Sequence, residues 1–283
     1  MNKVNLALLL LTIISVSLCA VPQTDWQRFH LKGSVERMIN DTEVIYFSPE
    51  GLIYSRWWGN EHYSSSDYEY IYDAANRLIS MEKKDGNGLV VSGDYHTYNA
   101  SGLLTESKEY SLSDTKTHYF TYNDKQQISW KKTRDFYGKP YQSIEYIYNA
   151  AGNIVRENYY DKNDKLSYYL ENSYDKNSNL LDSRTMDTSK KQIRRRVYKY
   201  NSHNQCIEES IYQEKKLSSK QTKTYDEQGN AVSIVTFDPM YNTTTRVTRN
   251  YSYDTYGNWV KLEIVNNGTK SSEENRYFSY YAE

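Results

Sequence analysis

Tyr146-Ile147-Tyr148-Asn149-Ala150-Ala151-Gly152-Asn153-Ile154 decides the fold of this chain. It opens with alternating aromatics, the pattern of a half-buried strand. An amide residue, two small residues and a glycine follow, and then an apolar residue. Asn at the first position of a type I turn accepts a backbone N–H from two residues on. Gly at the fourth position tolerates the left-handed backbone of a bulge. A type I turn with such a bulge joins two antiparallel strands. Counting outward from the turn sets Tyr148 opposite Ile154.

The stretch is one copy of many. Aromatic anchors stand at Phe47, Tyr72, Tyr98, Tyr122, Tyr148, Tyr174, Tyr200, Tyr225 and Tyr253, spaced 25, 26, 24, 26, 26, 26, 25 and 28 residues apart. A truncated copy starts at Tyr280. Asp or Asn follows the anchor in eight of the nine copies, and Ser48 does so in the other. The fourth slot past the anchor holds Gly51, Asn76, Gly102, Gln126, Gly152, Ser178, Asn204, Gly229 and Gly257. The sixth holds Ile53, Leu78, Leu104, Ile128, Ile154, Leu180, Cys206, Ala231 and Trp259, apolar throughout. Further aromatics precede the anchor by two residues at Tyr70, Phe120, Tyr146, Tyr198 and Tyr251.

Aromatic–apolar cross-strand pairs contribute about 0.2–1 kcal/mol each, so nine supply about 2–9 kcal/mol. A whole domain is stable by roughly 5–15 kcal/mol, so the tyrosines are builders of the sheet first. Each repeat has room for two strands and two turns, too little for a propeller blade. The expectation is an all-β antiparallel meander of roughly eighteen strands, twisted or partly rolled, with a cap at each end. Trp26 to Asp41 are expected to supply one cap and Arg276 to Glu283 the other. An outer-membrane barrel is set aside, because residues 217–225 (LSSKQTKTY) offer no apolar face to lipid.

This pattern resembles the YD repeat of the RHS family. The match is best at residues 146–154 and at Tyr251-Ser252-Tyr253-Asp254-Thr255-Tyr256-Gly257-Asn258-Trp259. It covers residues 45–283. The resemblance implies an antiparallel strand ribbon, which in large members spirals into a hollow shell around a toxin. Asp238-Pro239 lacks the flanking residues of that family's cleavage motif, and the repeats run almost to the last residue. The resemblance therefore implies a short exported bacterial YD-repeat protein without toxin cargo.

Composition narrows the class further. Tyr contributes 31 of 283 residues and Phe only 6, and an aromatic content of 15% argues against disorder. The 35 basic and 36 acidic residues nearly cancel, so no general attraction to nucleic acid is expected. Val4 to Leu18, preceded by Lys3, form a single apolar run of signal-peptide length, and small residues follow at Ser17, Cys19 and Ala20. The chain thus divides into a signal peptide (1–20), an N-terminal cap segment (21–44) and the repeat domain (45–283). After removal of the signal no transmembrane span is expected. The expected location is periplasm, cell surface or exterior. Cys19 carries an alternative reading as a lipidated cysteine, although Leu18 stands where such a site needs a small residue.

Catalytic signals are sparse. The five histidines (His30, His62, His96, His118, His203) show no metal-ligand spacing, and HExxH, CxxC, GxSxG and Walker A patterns are missing from the sequence. No cofactor, no metal and no enzymatic activity are expected. Cys206 occupies an apolar slot and reads as a small hydrophobe. Three features suit binding. Arg56, Trp57 and Trp58 place flat aromatics beside a cation, fit for a sugar face, or else for packing on the cap. The basic run Lys190 to Arg196, with Arg194, Arg195 and Arg196, suits phosphate or acidic glycan, or else forms a solvated hairpin. The tyrosine columns form either a core or an amphipathic surface. The favoured function is a non-enzymatic carbohydrate- or protein-binding scaffold of the cell envelope. The alternatives are a component of an RHS-type toxin-delivery system and a glycan-active enzyme, the latter needing two carboxyls converging in one cleft.

Overall fold

The computed structural model describes residues 24–58 and 66–282, excluding the side chains of Trp58 and Ser66. The signal-peptide reading and Cys19 lie outside the described residues. A one-turn helix α1 (Asp25–Arg28) comes first, capped by Thr24, whose hydroxyl accepts from the Gln27 N–H. The next strands are β1 (Val35–Asn40), β2 (Glu43–Phe47), β3 (Ile53–Trp58), β4 (Ser66–Tyr72), β5 (Leu78–Lys84), β6 (Val90–Tyr98) and β7 (Leu104–Ser111). They continue as β8 (Thr115–Tyr122), β9 (Ile128–Arg134), β10 (Pro140–Tyr148), β11 (Ile154–Tyr160), β12 (Leu166–Tyr174), β13 (Leu180–Asp187) and β14 (Gln192–Tyr200). The last are β15 (Cys206–Gln213), β16 (Lys216–Tyr225), β17 (Ala231–Asp238), β18 (Thr243–Tyr253), β19 (Trp259–Asn266) and β20 (Thr269–Tyr280). No helix among the described residues is long and apolar enough to cross a membrane.

Each strand pairs antiparallel with its sequence neighbours, and β1 also pairs with β20. The meander is therefore closed into a barrel of 20 strands, not left as an open or partly rolled sheet. The two segments expected to cap separate ends instead pair with each other. Met38 faces Phe278 and Ile39 faces Tyr277, and beyond the strands Tyr281 N–H donates to the Ser34 carbonyl at 2.9 Å. Closure removes both open edges, whose unpaired backbone groups invite aggregation.

The anchor turns are built as their residues dictate. Phe47 pairs with Ile53, Tyr148 with Ile154, Tyr200 with Cys206 and Tyr253 with Trp259, each beside a register shift. The fourth turn residue has positive φ at all nine copies, including Gln126 (60°) and Ser178 (63°). The Asp73 carboxylate accepts from Ala75 N–H at 2.9 Å and Arg77 N–H at 3.0 Å, and Asn123 does the same for Lys125 and Gln127. Four turns at the opposite rim repeat the device from Asp85, Asp135, Asp161 and Asp187.

A further ladder ties the copies together. Tyr98, Tyr122, Tyr148, Tyr174, Tyr200 and Tyr225 each donate their hydroxyl to the carbonyl of the apolar slot one copy earlier, at 2.6–3.0 Å. The same O–H of Tyr72 meets Asp25 of α1 at 3.0 Å. Tyr281 donates to the Phe47 carbonyl at 2.6 Å, across the seam where the barrel closes.

Alternation assigns the two faces of the wall. The anchor face is the inner one, where side chains converge and burial pushes ionisable groups toward neutrality. Burial raises the phenols of Tyr70, Tyr146 and Tyr198 and lowers His96 and Lys131. On the other face Lys84, Arg195 and Glu208 are shifted chiefly by their ion-pair partners Glu69, Asp182 and Lys199. Strand residues such as Tyr54, Ile71, Tyr119 and Ile193 stand exposed on that outer face. Among the described residues a fully apolar core forms near the seam, from Val35, Met38, Ile45, Phe47 and Ile53, with Trp26, Phe29 and Leu31 packed against it. Elsewhere the inner wall is aromatic and polar, and mostly half-buried.

Candidate functional site

The bulge of the first hairpin builds an aromatic platform on the outer wall. Phe47 pairs with Ile53 and Tyr46 with Ser55, so Tyr54 is the extra residue and turns outward. Trp57, two residues past Ser55, shares that face. Tyr54 is 48% exposed and Trp57 42%. Their ring centroids lie 6.0 Å and 6.2 Å from that of Tyr46, all tilted rather than stacked. The Trp57 indole N–H donates to Ser55 Oγ at 2.9 Å, which fixes the ring. Arg37 stands opposite Tyr46 and Asp67 opposite Trp57. One oxygen of Asp67 is buried without a hydrogen-bond partner. Three rings, a cation and an unused acceptor thus lie together on the outside of β1 to β4.

Arg56 does not join them. It points to the inner face, where its Nε donates to Glu43 Oε2 at 2.5 Å. Burial works against its charge, but Glu43 and Tyr70 outweigh that and raise its pKa. The side chain of Trp58 lies outside the described residues. Trp57 is exposed on the wall instead of packed under the N-terminal cap.

Strand alternation also divides the basic run. Arg195 faces out and donates from Nε to Asp182 at 2.7 Å, with Arg184 on the same carboxylate at 3.0 Å. Burial alone would raise the Asp182 pKa, and the bonds from Arg195 and Arg184 overcome it and hold it low. Arg194 and Arg196 face in, and Arg196 Nε lies 4.0 Å from a Glu209 oxygen. The three arginines cannot form one patch. The outer positions nearby carry charge at mid-strand: Lys199 and Lys220 flank Glu208 at 2.9 Å and 3.0 Å.

A second polar cluster lies on the inner wall of β6 to β9. The His118 ring is held at both nitrogens, 2.9 Å from Thr133 Oγ1 and 3.0 Å from Glu109 Oε1. Burial and then the Lys131 charge lower its pKa. Asp94 faces Glu109 across the ladder, and burial followed by that like charge raises its pKa. His96 Nδ1 is buried without a partner. Sequence reasoning treated these histidines singly. The signal was their parity: His96 precedes anchor Tyr98 by two residues and His118 precedes anchor Tyr122 by four, so both share the inner face. Among the described residues no group of three His, Cys, Asp or Glu side chains is arranged to hold a metal ion. Cys206 is half-buried opposite Tyr200, and burial raises its thiol pKa.

No family model and no curated protein matches the chain. Among solved structures it is similar to a chain of the Tc holotoxin pore of Photorhabdus luminescens, at 17% identity and a TM-score of 0.41. That match covers 84% of this chain, which spans only 13% of the toxin chain. It is also similar to a porin-like protein of Bacteroides uniformis, at 13% identity and a TM-score of 0.41, covering 88% of this chain and 99% of that one. A porin-like protein of Bacteroides vulgatus overlaps less closely, at 14% identity and a TM-score of 0.33.

Proposed function

We propose that this chain is an exported, non-enzymatic YD-repeat barrel that binds carbohydrate of the bacterial envelope or its surroundings. One observation carries the reading: Tyr54 and Trp57 stand half-exposed beside Tyr46 on the outer wall. Large rings held open to water by a rigid strand pair favour a ligand with flat C–H faces. Sugar rings supply such faces. Their hydroxyls need donors and acceptors at the rim, where Arg37 stands opposite Tyr46 and Asp67 opposite Trp57. Export is supported by the apolar run from Val4 to Leu18. The charged outer positions on β13 to β16 suit a wall that meets water there rather than lipid.

A glycan array with the mature chain, followed by titration of the best oligosaccharide, tests this. Trp57→Ala is expected to abolish binding, and Tyr54→Ala to weaken it. Ile193→Ala, also exposed on the outer wall but on β14, should leave it unchanged. Wild-type protein that binds no glycan, or Trp57→Ala protein that binds as wild type does, would contradict the proposal.

A further inference from the structure

The inner wall holds a pair of cations that the outer platform does not use. Arg194 and Arg196 lie two positions apart on β14, both pointing inward. That spacing sets their strand positions about 6.6 Å apart. Two like charges on a partly dehydrated wall repel each other, and an arrangement of this kind calls for a counter-anion. Arg196 has the Glu209 carboxylate at 4.0 Å. Arg194 makes no ion pair among the described residues: Glu209 acts on it only from a distance, and its ladder partners, Thr185 on one side and Gln213 on the other, are both neutral. Its Nε is buried and has no hydrogen-bond acceptor among the described residues. The rest of the side chain is partly open to solvent. Ser183, the ladder partner of Arg196, adds a further hydroxyl.

We infer that the inner wall of β13 to β15 is a binding site for a tetrahedral oxyanion, a phosphate or sulfate group. The site joins two guanidinium forks to neutral donors from Thr185, Gln213 and Ser183. Such a set recognises a multi-oxygen anion by bidentate, charge-assisted hydrogen bonds. A small rotation of the Arg194 head brings its unused Nε–H onto an anion oxygen. The Coulomb repulsion between the two arginines becomes attraction to the shared ligand, and the single carboxylate of Glu209 is too few to neutralise both. Burial, reinforced by the Arg196 charge, lowers the pKa of Arg194, a direction that a bound anion would oppose. The site is separate from the aromatic platform in strand and in face, so it stands or falls independently of the carbohydrate proposal.

The test uses the mature chain, inorganic phosphate as probe, and arginine side-chain NMR together with calorimetric titration. Phosphate is expected to shift the Nε–Hε signal of Arg194, while that of Arg195, already bonded to Asp182 outside, stays in place. A hydrogen bond to a charged group typically contributes enough that Arg194→Gln should weaken binding about tenfold or more. Arg195→Gln should bind as wild type does. Arg194→Lys, which keeps the charge but loses the fork, should fall between, and it keeps the test open should Arg194→Gln fold poorly. A parallel titration with inorganic sulfate distinguishes the two anion classes: competition with phosphate means that the site takes either, and no competition restricts it to phosphate. Absence of any phosphate-induced shift at Arg194 in the wild type overturns the inference. So does equal loss of binding in Arg194→Gln and Arg195→Gln.

Discussion

The hydroxyl of Tyr148 donates to the carbonyl of Ile128 at 2.8 Å, joining one repeat to the one before it. Five other anchors make the equivalent bond. This explains why the anchor is tyrosine, not phenylalanine, at those six positions; at Tyr72 and Tyr253 the hydroxyl donates instead to Asp25 and Asp226. The ring packs against Ile154 in its own hairpin, and the hydroxyl satisfies a carbonyl at a bulge. Tyr148→Phe is expected to cost about 0.5–1.5 kcal/mol, the net value of one such bond. Urea denaturation measures it. A variant as stable as wild type would show that the bond contributes nothing.

The fourth turn slot gives the opposite sign. Gln126 holds φ of 60°, where a side chain is strained, while Gly152 occupies the equivalent slot at 86°. A left-handed backbone costs an ordinary residue roughly 1 kcal/mol, which glycine avoids. Gln126→Gly should therefore raise the melting temperature. Gly152→Ala should lower it, because the new Cβ would sit 3.1 Å from Gln127 Nε2 as well as being strained. Thermal melts of the two variants should move in opposite directions; movement in the same direction rejects the assigned turn.

Alkaline pH should unfold the barrel. Burial raises the phenols of Tyr70, Tyr146 and Tyr198, and those of Tyr200 and Tyr253 are pushed up to about 12. A folded-state pKa above the unfolded value contributes stability that is complete below the ordinary pKa of 10.0 and is lost as pH rises through the folded values. Phenolate absorbance should lag behind that of the denatured chain above pH 10 and then rise steeply with unfolding. Superimposable titration curves for the native and denatured chains would contradict this.

Acid acts through the carboxylates. Lys199 and Lys220 hold Glu208 below its ordinary 4.5, and backbone N–H groups hold the turn residue Asp161 below its ordinary 3.8. Depressed folded-state values contribute stability that is present above the unfolded pKa and lost as pH falls through the folded one. The inner histidines His96 and His118, whose folded values burial holds below 6.5, should start a decline as pH falls below 6.5, and these carboxylates should add a second decline below about pH 4. Chemical stability that stays level from pH 7 to pH 5 would contradict the burial of His96 and His118.

Much of this fold was legible because each hairpin is closed by local chemistry. Asp or Asn, the left-handed slot and the apolar residue six past the anchor lie within seven residues of one another, so Tyr72 and Leu78 could be paired from spacing alone. The turns at the other rim carried a readable signal too: Asp135, Asp161 and Asp187 each follow an anchor-turn Asn or Asp by 12 residues. Closure was not legible. β1 and β20 pair over 240 residues of separation, and nothing local in Met38 or Phe278 specifies the other. Repeat spacing fixes each neighbour contact but not the curvature summed over twenty strands. Of the binding residues, Trp57 kept its exposed place. Proximity in sequence did not reveal which arginines share a face: strand parity sends adjacent residues to opposite faces, placing Arg56, Arg194 and Arg196 on the inner wall and Arg195 on the outer one.

Pairing of β1 with β20 is the central claim, and a disulfide cross-link tests it most directly. Arg37 and Ser279 are ladder partners across the seam. In a Cys206→Ala background, Arg37→Cys with Ser279→Cys should oxidise to an intramolecular cross-link as readily as Thr97→Cys with Glu106→Cys, partners within the sheet between β6 and β7. Cross-linking of the internal pair alone, with the seam pair left as free thiols, would mean that the barrel is open.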